Sequence, residues 1–491
     1  MLSIMAGIAG LLVTSEDTDS NHILQKMSEA IRHRKCETYN TVRHNDALCM
    51  IVGPSSLQGP EDDLFFIDFN EDLIISEETQ DIVSISGIFG VVAIIVDNSG
   101  VSFLRTLDGT RALYYGTLKK NIAFASERKS LWNIGIKSVR ALEPGQGITY
   151  SWDGKLTMER FATLEKPPRI DTSREEILEV LQNALKTSFD RLNRGTSCAV
   201  LFSGGIDSSL VAFEVANRCA NTHLVTTRSE GAHDTAAATR AASILGLPLI
   251  IVELSPKIIW ETLPEVIFSI ETSRQMDVEI ALPFYLASKK AAEIGCTTVV
   301  SGQGPDELFA GYARHITTYV EKGPKALTEQ LWREVSVTHD ANIERDERAI
   351  AAHGVESFFP YLDQEFVRIS LSVPVEWKVS PFGTPQRKVI FRELAQFMGV
   401  PEEIAHAPKS ATQYSSGSAK TLLQSIIENV NELSNLSRKK VSRQVQDVLD
   451  EIAYQIRMPT VQKKDRKLHL DLESVNRFLD RREGSSSSNT R

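Results

Sequence analysis

The sequence has few of the features that identify secreted, metal-binding or membrane proteins. Its 491 residues include only five cysteines, and no two of them form a CxxC pair, so neither a zinc site nor a disulfide framework is indicated. No apolar stretch reaches the length of a membrane span. The apolar start Met1–Val13 lacks a basic segment. We therefore expect neither a transmembrane helix nor a signal peptide.

An excess of positive charge is also missing. The formal net charge is −10 at pH 7, which argues against broad electrostatic binding to nucleic acid or to anionic membranes. With 42% hydrophobic and 24% charged residues, the composition is that of an ordinary globular protein. We expect a reduced, cytoplasmic protein of two or three domains that acts on small molecules. A homodimer is one open alternative for its assembly.

A loop of small residues directly follows the apolar run 198–202. It reads Ser203-Gly204-Gly205-Ile206-Asp207-Ser208-Ser209, and the residues that follow it, 210–216, have the pattern of a helix. A glycine loop at a helix N-terminus forms an anion site, because backbone N–H groups and the helix dipole converge there. Asp207 suits such a site if Mg²⁺ bridges it to the anion. This is not a Walker A loop. The alternative is an ordinary glycine turn.

A second glycine loop follows the predicted strand 297–301. It continues as Gly302-Gln303-Gly304-Pro305-Asp306-Glu307. Ligands of open parallel sheets bind beyond the carboxyl ends of the strands, and Asp207 and Asp306 both lie just past such ends. Two carboxylates there predict a site for Mg²⁺ and pyrophosphate. The alternative is that Asp306 and Glu307 only stabilise a helix N-terminus.

Five motifs, taken in order, resemble those of the glutamine-hydrolysing asparagine synthetase family over about residues 5–420. The first loop is similar to the SGGxDS loop of enzymes that cleave ATP between its α- and β-phosphates, and the second is similar to SGEGxDExFGGY. The other three segments are 345–363, 388–404 and 407–414. The resemblance implies that ATP activates a carboxylate as an acyl-adenylate, that pyrophosphate leaves and that ammonia attacks the acyl carbon.

The resemblance also implies roles for individual residues. Asp207 and Asp306 would hold Mg²⁺, Gln303 would lie at the reacting centre, and Lys409 and Lys388 would stabilise phosphate charge. For each lysine, the alternative is a solvated surface side chain. The residues implied in ATP binding are Phe202, Ser203, Gly204, Gly205, Asp207, Ser208, Ser209, Thr227, Ser301 and Gly302.

Two positions depart from the family's pattern. Gln303 replaces the family's usual glutamate, and glutamine can neither take a proton nor hold a cation by its charge. Glu279 occupies the place of a basic residue, and a second carboxylate there would repel an acidic substrate. These departures keep open another amide ligase on the same scaffold, similar to the β-lactam synthetases. A non-catalytic nucleotide-binding scaffold is the third alternative.

The N-terminal half resembles the family's glutaminase domain only as a scaffold. That chemistry needs a cysteine with a free amine at the mature N-terminus. Ala6 stands at the cysteine position, and the family's HRGPD segment reads as residues 33–37 here. We therefore expect an inactive domain. Cys36 as a displaced nucleophile is the alternative, although a lone cysteine is usually inert.

The pattern of elements predicts two folds in succession. Residues 1–165 should form an α+β, N-terminal nucleophile hydrolase-like β-sandwich. Residues 173–420 should form an α/β, adenine-nucleotide α-hydrolase-like (PP-loop) synthetase domain, because strands and helices alternate there. The predicted strands are 197–202, 223–227, 248–254 and 297–301, and one predicted helix is 286–294. Residues 421–482 should be a helical extension and 483–491 a disordered tail.

Overall fold

A computed structural model describes most of the chain. The described residues are 7–13, 19–34, 38–44, 47–53, 57–58, 64–69, 90–96, 99–192, 197–229, 235–382, 384–407, 414–462 and 468–487. Ala6, Cys36 and Lys409, three positions singled out above, lie outside these ranges. Within them, no helix has the length and apolar character needed to cross a membrane.

Two antiparallel six-stranded sheets form the N-terminal part. Their strands are β1 Ala9–Val13, β2 Thr38–His44, β3 Ala47–Gly53, β4 Leu57–Gln58, β5 Leu64–Phe69, β6 Val91–Val96, β7 Gly100–Arg105, β8 Tyr114–Leu118, β9 Asn121–Ala125, β10 Arg140–Ala141, β11 Gln146–Ser151 and β12 Leu156–Arg160. One sheet has the order β10-β8-β9-β1-β3-β2, and the other has the order β12-β11-β7-β6-β5-β4.

The alternation of side chains along β1 divides the apolar residues between two cores. Leu12 packs between the two sheets with Phe103 and Phe124, whose ring centroids are 4.5 Å apart. Leu11 lies in the other core, which includes residues of the helices α1 Ser20–Ala30 and α2 Arg128–Asn133. The N-terminal part is therefore a sandwich with helices on one side. Its likeness to the N-terminal nucleophile hydrolases stays a prediction.

A parallel five-stranded sheet organises the part that follows. Its strands are β13 Ser197–Leu201, β14 Asn221–Ser229, β15 Leu249–Leu254, β16 Thr298–Val300 and β17 Glu356–Phe358, in the order β15-β14-β13-β16-β17. The four strands predicted from the sequence are found within a few residues of these bounds. A short hairpin is formed by β18 Val379–Ser380 and β19 Gln386–Arg387.

Helices surround this sheet and continue beyond it. They are α3 Arg174–Phe189, α4 Ile206–Ala216, α5 Ala236–Leu245, α6 Pro256–Ile270, α7 Gln275–Glu293, α8 Pro305–Leu308, α9 Ala313–Lys322, α10 Pro324–Ser336, α11 Glu344–Ala351, α12 Gln364–Ser372, α13 Val375–Lys378, α14 Val389–Phe397, α15 Glu402–Ala405, α16 Tyr414–Asn429, α17 Arg438–Ser442, α18 Val445–Gln455 and α19 Glu473–Ser487. Short 3₁₀ helices occur at Arg32–Arg34 and Pro360–Leu362, and a π-helical turn at His339–Ile343.

Two helices differ from expectation. Helix α7 begins at Gln275 and contains Pro283, so it is longer than the predicted helix 286–294, which started beyond the proline. Helix α19 reaches Ser487 and enters the segment expected to be disordered. Phe478 of α19 packs on Phe268 with ring centroids 5.3 Å apart, which attaches this last helix to α6.

Candidate active site

The first glycine loop connects β13 to α4, as the sequence predicts. Gly204 has a φ of 75°, and a Cβ atom there would lie 2.5 Å from the backbone of Ala237, so only glycine fits. The Ser203 and Ser208 hydroxyls lie 3.1 Å apart, and the Gly205 N–H donates to Ser203 Oγ over 3.3 Å. These hydrogen bonds join the start of the loop to the first turn of α4.

The second loop packs directly on the first, because β13 and β16 are neighbours in the sheet. A Cβ atom on Gly302 would lie 3.2 Å from the backbone of Asp207 and Ser208, so glycine permits this close contact. The backbone N–H of Ser301 donates to the carbonyl of Phe358 over 2.9 Å. Tyr361 Oη donates to the Asp207 carbonyl, also over 2.9 Å. The two loops therefore form one surface.

Lys388 joins the two predicted magnesium ligands. Its Nζ lies 2.7 Å from each carboxylate oxygen of Asp207 and 2.8 Å from Asp306 Oδ1. The lysine is only 2% exposed, and its backbone has a left-handed φ of 57°. The alternative that Lys388 is a solvated surface lysine is therefore wrong.

The charge state of Lys388 follows from its surroundings. Burial lowers the pKa of the ammonium group, but the carboxylates of Asp207 and Asp306 raise it more, so the pKa lies above its ordinary value. Gly311 leaves the space for this arrangement. A Cβ atom there would lie 1.7 Å from Asp306 Oδ1 and 2.3 Å from Lys388 Cε. The cluster therefore depends on a glycine at position 311.

The two aspartates remain accessible to a ligand. Their side chains are 25% and 26% exposed, whereas that of Lys388 is 3% exposed. Within the described ranges, no group of three or more His, Cys, Asp or Glu side chains could hold a metal ion by itself. Two carboxylates suit Mg²⁺ when phosphate oxygens and water complete its coordination. The donor set of Asp207 and Asp306 fits a nucleotide-bound Mg²⁺.

Gln303 pairs with a buried carboxyl group from another element. Its Nε2 donates to Asp346 Oδ2 over 2.8 Å, and Arg345 Nε donates to Asp346 Oδ1 over 2.8 Å. Burial raises the pKa of Asp346 above its usual value, although the Arg345 charge and these hydrogen bonds oppose the rise. Sequence reasoning assigned no role to Asp346, even though Arg345-Asp346 opens one of the family-like motifs.

Glu307 lies next to Asp306 but in a drier environment. It is 6% exposed, and Tyr312 Oη donates to its Oε1 over 2.6 Å. Burial raises the pKa of Glu307 to about 7, and the hydrogen bond from Tyr312 opposes the rise. The carboxyl group of Glu307 therefore titrates near neutral pH, whereas a solvated carboxylate at a helix terminus titrates at about pH 4 to 5.

Helix α7 brings further charges toward Asp346. Arg274 binds Asp277 with a shortest N···O distance of 2.7 Å, and Arg345 Nη1 lies 3.6 Å from Asp277. Glu279 accepts a hydrogen bond of 2.7 Å from Gln275 Nε2. Both arginines of this group are thus matched to carboxylates, and Glu279 adds negative charge on the same helix.

Two of the remaining predicted residues, Phe202 and Thr227, lie beside the first glycine loop, whereas Lys409 cannot be placed. Phe202 is fully buried, and its backbone N–H donates to Val225 in β14, the strand that also carries Thr227. Lys409 lies outside the described residues. The chain shortly before it is attached by Arg392, whose Nη1 donates to the carbonyls of Ala405 and Ala407 over 2.5 and 3.1 Å.

In the N-terminal part, two residues of the segment 33–37 are described, and both bind Glu127. His33 Nε2 lies 2.9 Å from Glu127 Oε1, and Arg34 and Lys129 also contact this fully buried carboxylate. Burial alone would raise the pKa of Glu127. The interactions with His33, Lys129 and Arg34 outweigh burial, so the pKa lies well below its usual range. His33 and Arg34 are therefore engaged in an internal ion cluster.

Comparisons with known proteins agree with the motifs. A model of the family described as asparagine synthase matches residues 176–322 and 317–490. A Methanocaldococcus jannaschii protein assigned as asparagine synthetase (glutamine-hydrolyzing) 1 is 31% identical over 418 residues, or 76% of each chain. The asparagine synthetase (glutamine-hydrolyzing) of Sandersonia aurantiaca is 26% identical over 436 residues, which cover 76% of this chain and 79% of that protein.

A solved structure also aligns, but weakly. The NMN synthetase of Francisella tularensis aligns over 65% of this chain and 97% of its own, with 13% identity and a TM-score of 0.27. A TM-score this low does not establish a common fold. The sequence evidence is sufficient by itself: the family model matches more than half of the chain, and this protein belongs to the asparagine synthase family of ATP-dependent ligases.

Proposed function

We propose that this chain amidates a carboxylate in an ATP-dependent reaction, with aspartate as the first candidate substrate. The carboxylate would attack the α-phosphate of ATP to give β-aspartyl-AMP and release pyrophosphate. Ammonia would then attack the acyl carbon and release AMP. The observation that carries the proposal is the convergence of Asp207, Asp306 and Lys388 beside the two glycine loops.

The chemistry of these groups matches the charge that develops in the first step. Negative charge grows on the α-phosphate and on the departing pyrophosphate, so cations fixed beside them stabilise the transition state. Lys388 is a buried, charged lysine that two carboxylates hold in place. When bound, Mg²⁺ would supply Lewis-acid stabilisation of the phosphate oxygens. Asp207 and Asp306 would hold it, and Lys409 remains a second predicted phosphate cation.

For the nitrogen source we propose free ammonia, or ammonia from a separate enzyme, rather than glutamine. Ala6 offers no nucleophile at the position where the family needs cysteine. His33 and Arg34 bind Glu127 and are not available to a substrate in this arrangement. Both observations favour an N-terminal domain, residues 1–165, without glutaminase activity.

A second candidate is a different amide ligase on the same scaffold. It is favoured by Gln303, which is hydrogen-bonded to Asp346, and by Glu279, which adds negative charge to helix α7. At pH 7 L-aspartate carries two carboxylates and one ammonium group, so a carboxylate substrate with less negative charge would suit this environment better.

The test is pyrophosphate release by the full-length protein with ATP, Mg²⁺ and single amino acids, each with ammonium or with glutamine. We expect release that depends on L-aspartate and product that forms with ammonium but not with glutamine. Release that depends on another amino acid would favour the second candidate. Absence of release with every substrate, together with tight ATP binding, would favour a non-catalytic scaffold. Glutamine hydrolysis that a thiol-directed glutamine analogue blocks would overturn the proposed nitrogen source.

A further inference from the structure

Helix α11 contacts both parts of the molecule. All eight of its residues, 344–351, are buried, although the first five are all charged. Buried charges are stable only when they are paired and hydrogen-bonded. The partners of these five charges therefore indicate what the helix is built to contact.

Three of the five charged residues bind the N-terminal sandwich. Glu347 accepts hydrogen bonds from Arg34, at 2.7 and 2.8 Å, and from Arg111, at 2.5 Å. Glu344 is 3.1 Å from Arg105 and accepts a hydrogen bond from Tyr114 Oη. Arg348 Nη1 donates to the same Tyr114 oxygen over 2.9 Å. Tyr114 thus links two residues of α11 to strand β8.

The other two charged residues face the synthetase site. Asp346 binds Gln303 of the second glycine loop, and Arg345 binds Asp346 and lies 3.6 Å from Asp277. The division follows from helix geometry, because residues 344, 347 and 348 share one face at spacings of three and four. Residues 345 and 346 point away from that face. The helical segment 344–348 therefore lies between the sandwich and Gln303.

We propose that the N-terminal sandwich positions the synthetase site through helix α11. Arg34, Arg105, Arg111 and Tyr114 fix the rotation of the helix, and the helix in turn places Asp346. Asp346 then orients the Gln303 side chain, with its Nε2 toward the carboxyl group and its carbonyl oxygen left to accept an N–H group. Tyr114 is a positioning residue in this scheme, and the sandwich keeps a role in the reaction without glutaminase chemistry.

The test compares two conservative variants of the full chain. Tyr114→Phe removes only the hydroxyl that links Glu344 and Arg348. Ser102→Ala is the matched control, since it removes a hydroxyl from a 3.0 Å hydrogen bond with Thr149 inside the sandwich and away from α11. Hydrogen–deuterium exchange followed by mass spectrometry needs no substrate. We expect Tyr114→Phe to accelerate exchange about tenfold in both 344–351 and 301–304, and Ser102→Ala to leave both segments unchanged.

An activity measurement tests the same inference where the proposed function holds. With L-aspartate, ammonium and ATP, Tyr114→Phe should lower kcat about tenfold and leave the KM for ATP unchanged. Added to Asp346→Asn, it should cause no further loss, because both changes act on Gln303. Additive losses, or faster exchange confined to the sandwich, would overturn the inference. A wild-type protein without activity would overturn the proposed function alone, since the exchange result does not depend on it.

Discussion

Two clusters of charged side chains in this protein use the same residue types in opposite ways. At the glycine loops, one lysine lies between Asp207 and Asp306, whose carboxylates are about one-quarter exposed. At helix α11, arginines of the sandwich meet Glu344 and Glu347, and all of these side chains are nearly fully buried. The first cluster is open to a ligand, and the second is closed.

The difference in exposure separates carboxylates that can bind a ligand from carboxylates that stabilise the fold. A carboxylate that keeps one side toward solvent can exchange its partner for a metal ion or a phosphate-bound water. A carboxylate that is buried among guanidinium groups cannot exchange partners, because removal of one leaves an uncompensated charge in a dry environment. We therefore expect substitutions in the open cluster to reduce activity and substitutions in the closed cluster to reduce stability.

The largest effect should come from the open cluster. Asp207→Asn or Asp306→Asn removes a proposed Mg²⁺ ligand and one charge that holds Lys388, so pyrophosphate release should be abolished. Thermal unfolding should show that each variant remains folded. Near-normal release by both variants would contradict the assignment of these aspartates.

The closed cluster should respond in stability. Arg111→Met leaves Glu347 and Glu356 with fewer compensating charges in a buried setting. We expect a loss of about 3–5 kcal/mol in the free energy of unfolding, measured by urea denaturation. Arg368→Met is the matched control, because Arg368 and its partner Glu365 are 60% and 55% exposed and such pairs contribute at most about 1 kcal/mol. Equal losses in both variants would remove the distinction between the clusters.

Lys409 tests whether the open cluster extends beyond the described residues. If it stabilises charge at the α-phosphate, Lys409→Ala should lower kcat roughly 10²–10³-fold and change the KM for ATP much less. Lys439→Ala is the control, since Lys439 is exposed on helix α17. Small and similar effects of the two substitutions would assign Lys409 to the solvated surface.

The smallest effect is expected at Glu307, which is buried like the closed cluster but lies next to Asp306 of the open cluster. Its pKa is raised from 4.5 to about 7 in the folded protein, so the folded state binds the proton more tightly than the unfolded state. The contribution of Glu307 to stability is therefore fully present below about pH 4.5 and is lost as the pH rises through about 7. In urea denaturation at several pH values, the free energy of unfolding of Glu307→Gln should change over this range by about 1–3 kcal/mol less than that of the wild type. An unchanged pH dependence would show that Glu307 ionises normally.

The open cluster could be predicted in outline because its signals are local. Glycine spacing and a preceding apolar strand placed Asp207 and Asp306 at neighbouring strand ends, and the resemblance added Lys388. The contact between Lys388 and Asp207 spans 181 positions of the chain, however, and no periodicity predicts such a pair. The same holds for Gln303 and Asp346, which are 43 positions apart.

The closed cluster could not be predicted from composition or pattern. Residues 344–348 are five consecutive charged residues, a pattern typical of a solvent-exposed helix, yet all five are buried. The sandwich partners of Glu344, Glu347 and Arg348 lie more than 200 positions away, as for Tyr114 and Glu344 at a separation of 230. The pairing depends on how the two parts of the fold meet, which one sequence alone does not reveal.

The left-handed backbone of Lys388 has a consequence for engineering this protein. A side chain in that conformation costs roughly 1–2 kcal/mol, and glycine would avoid the cost. Lys388→Gly would therefore relax the backbone and at the same time leave Asp207 and Asp306 facing each other without a cation. Screens for thermal tolerance in the absence of nucleotide would thus mix a gain and a loss at this position. Screens for turnover should retain lysine, because the proposed reaction needs a cation beside the phosphates and glycine supplies none.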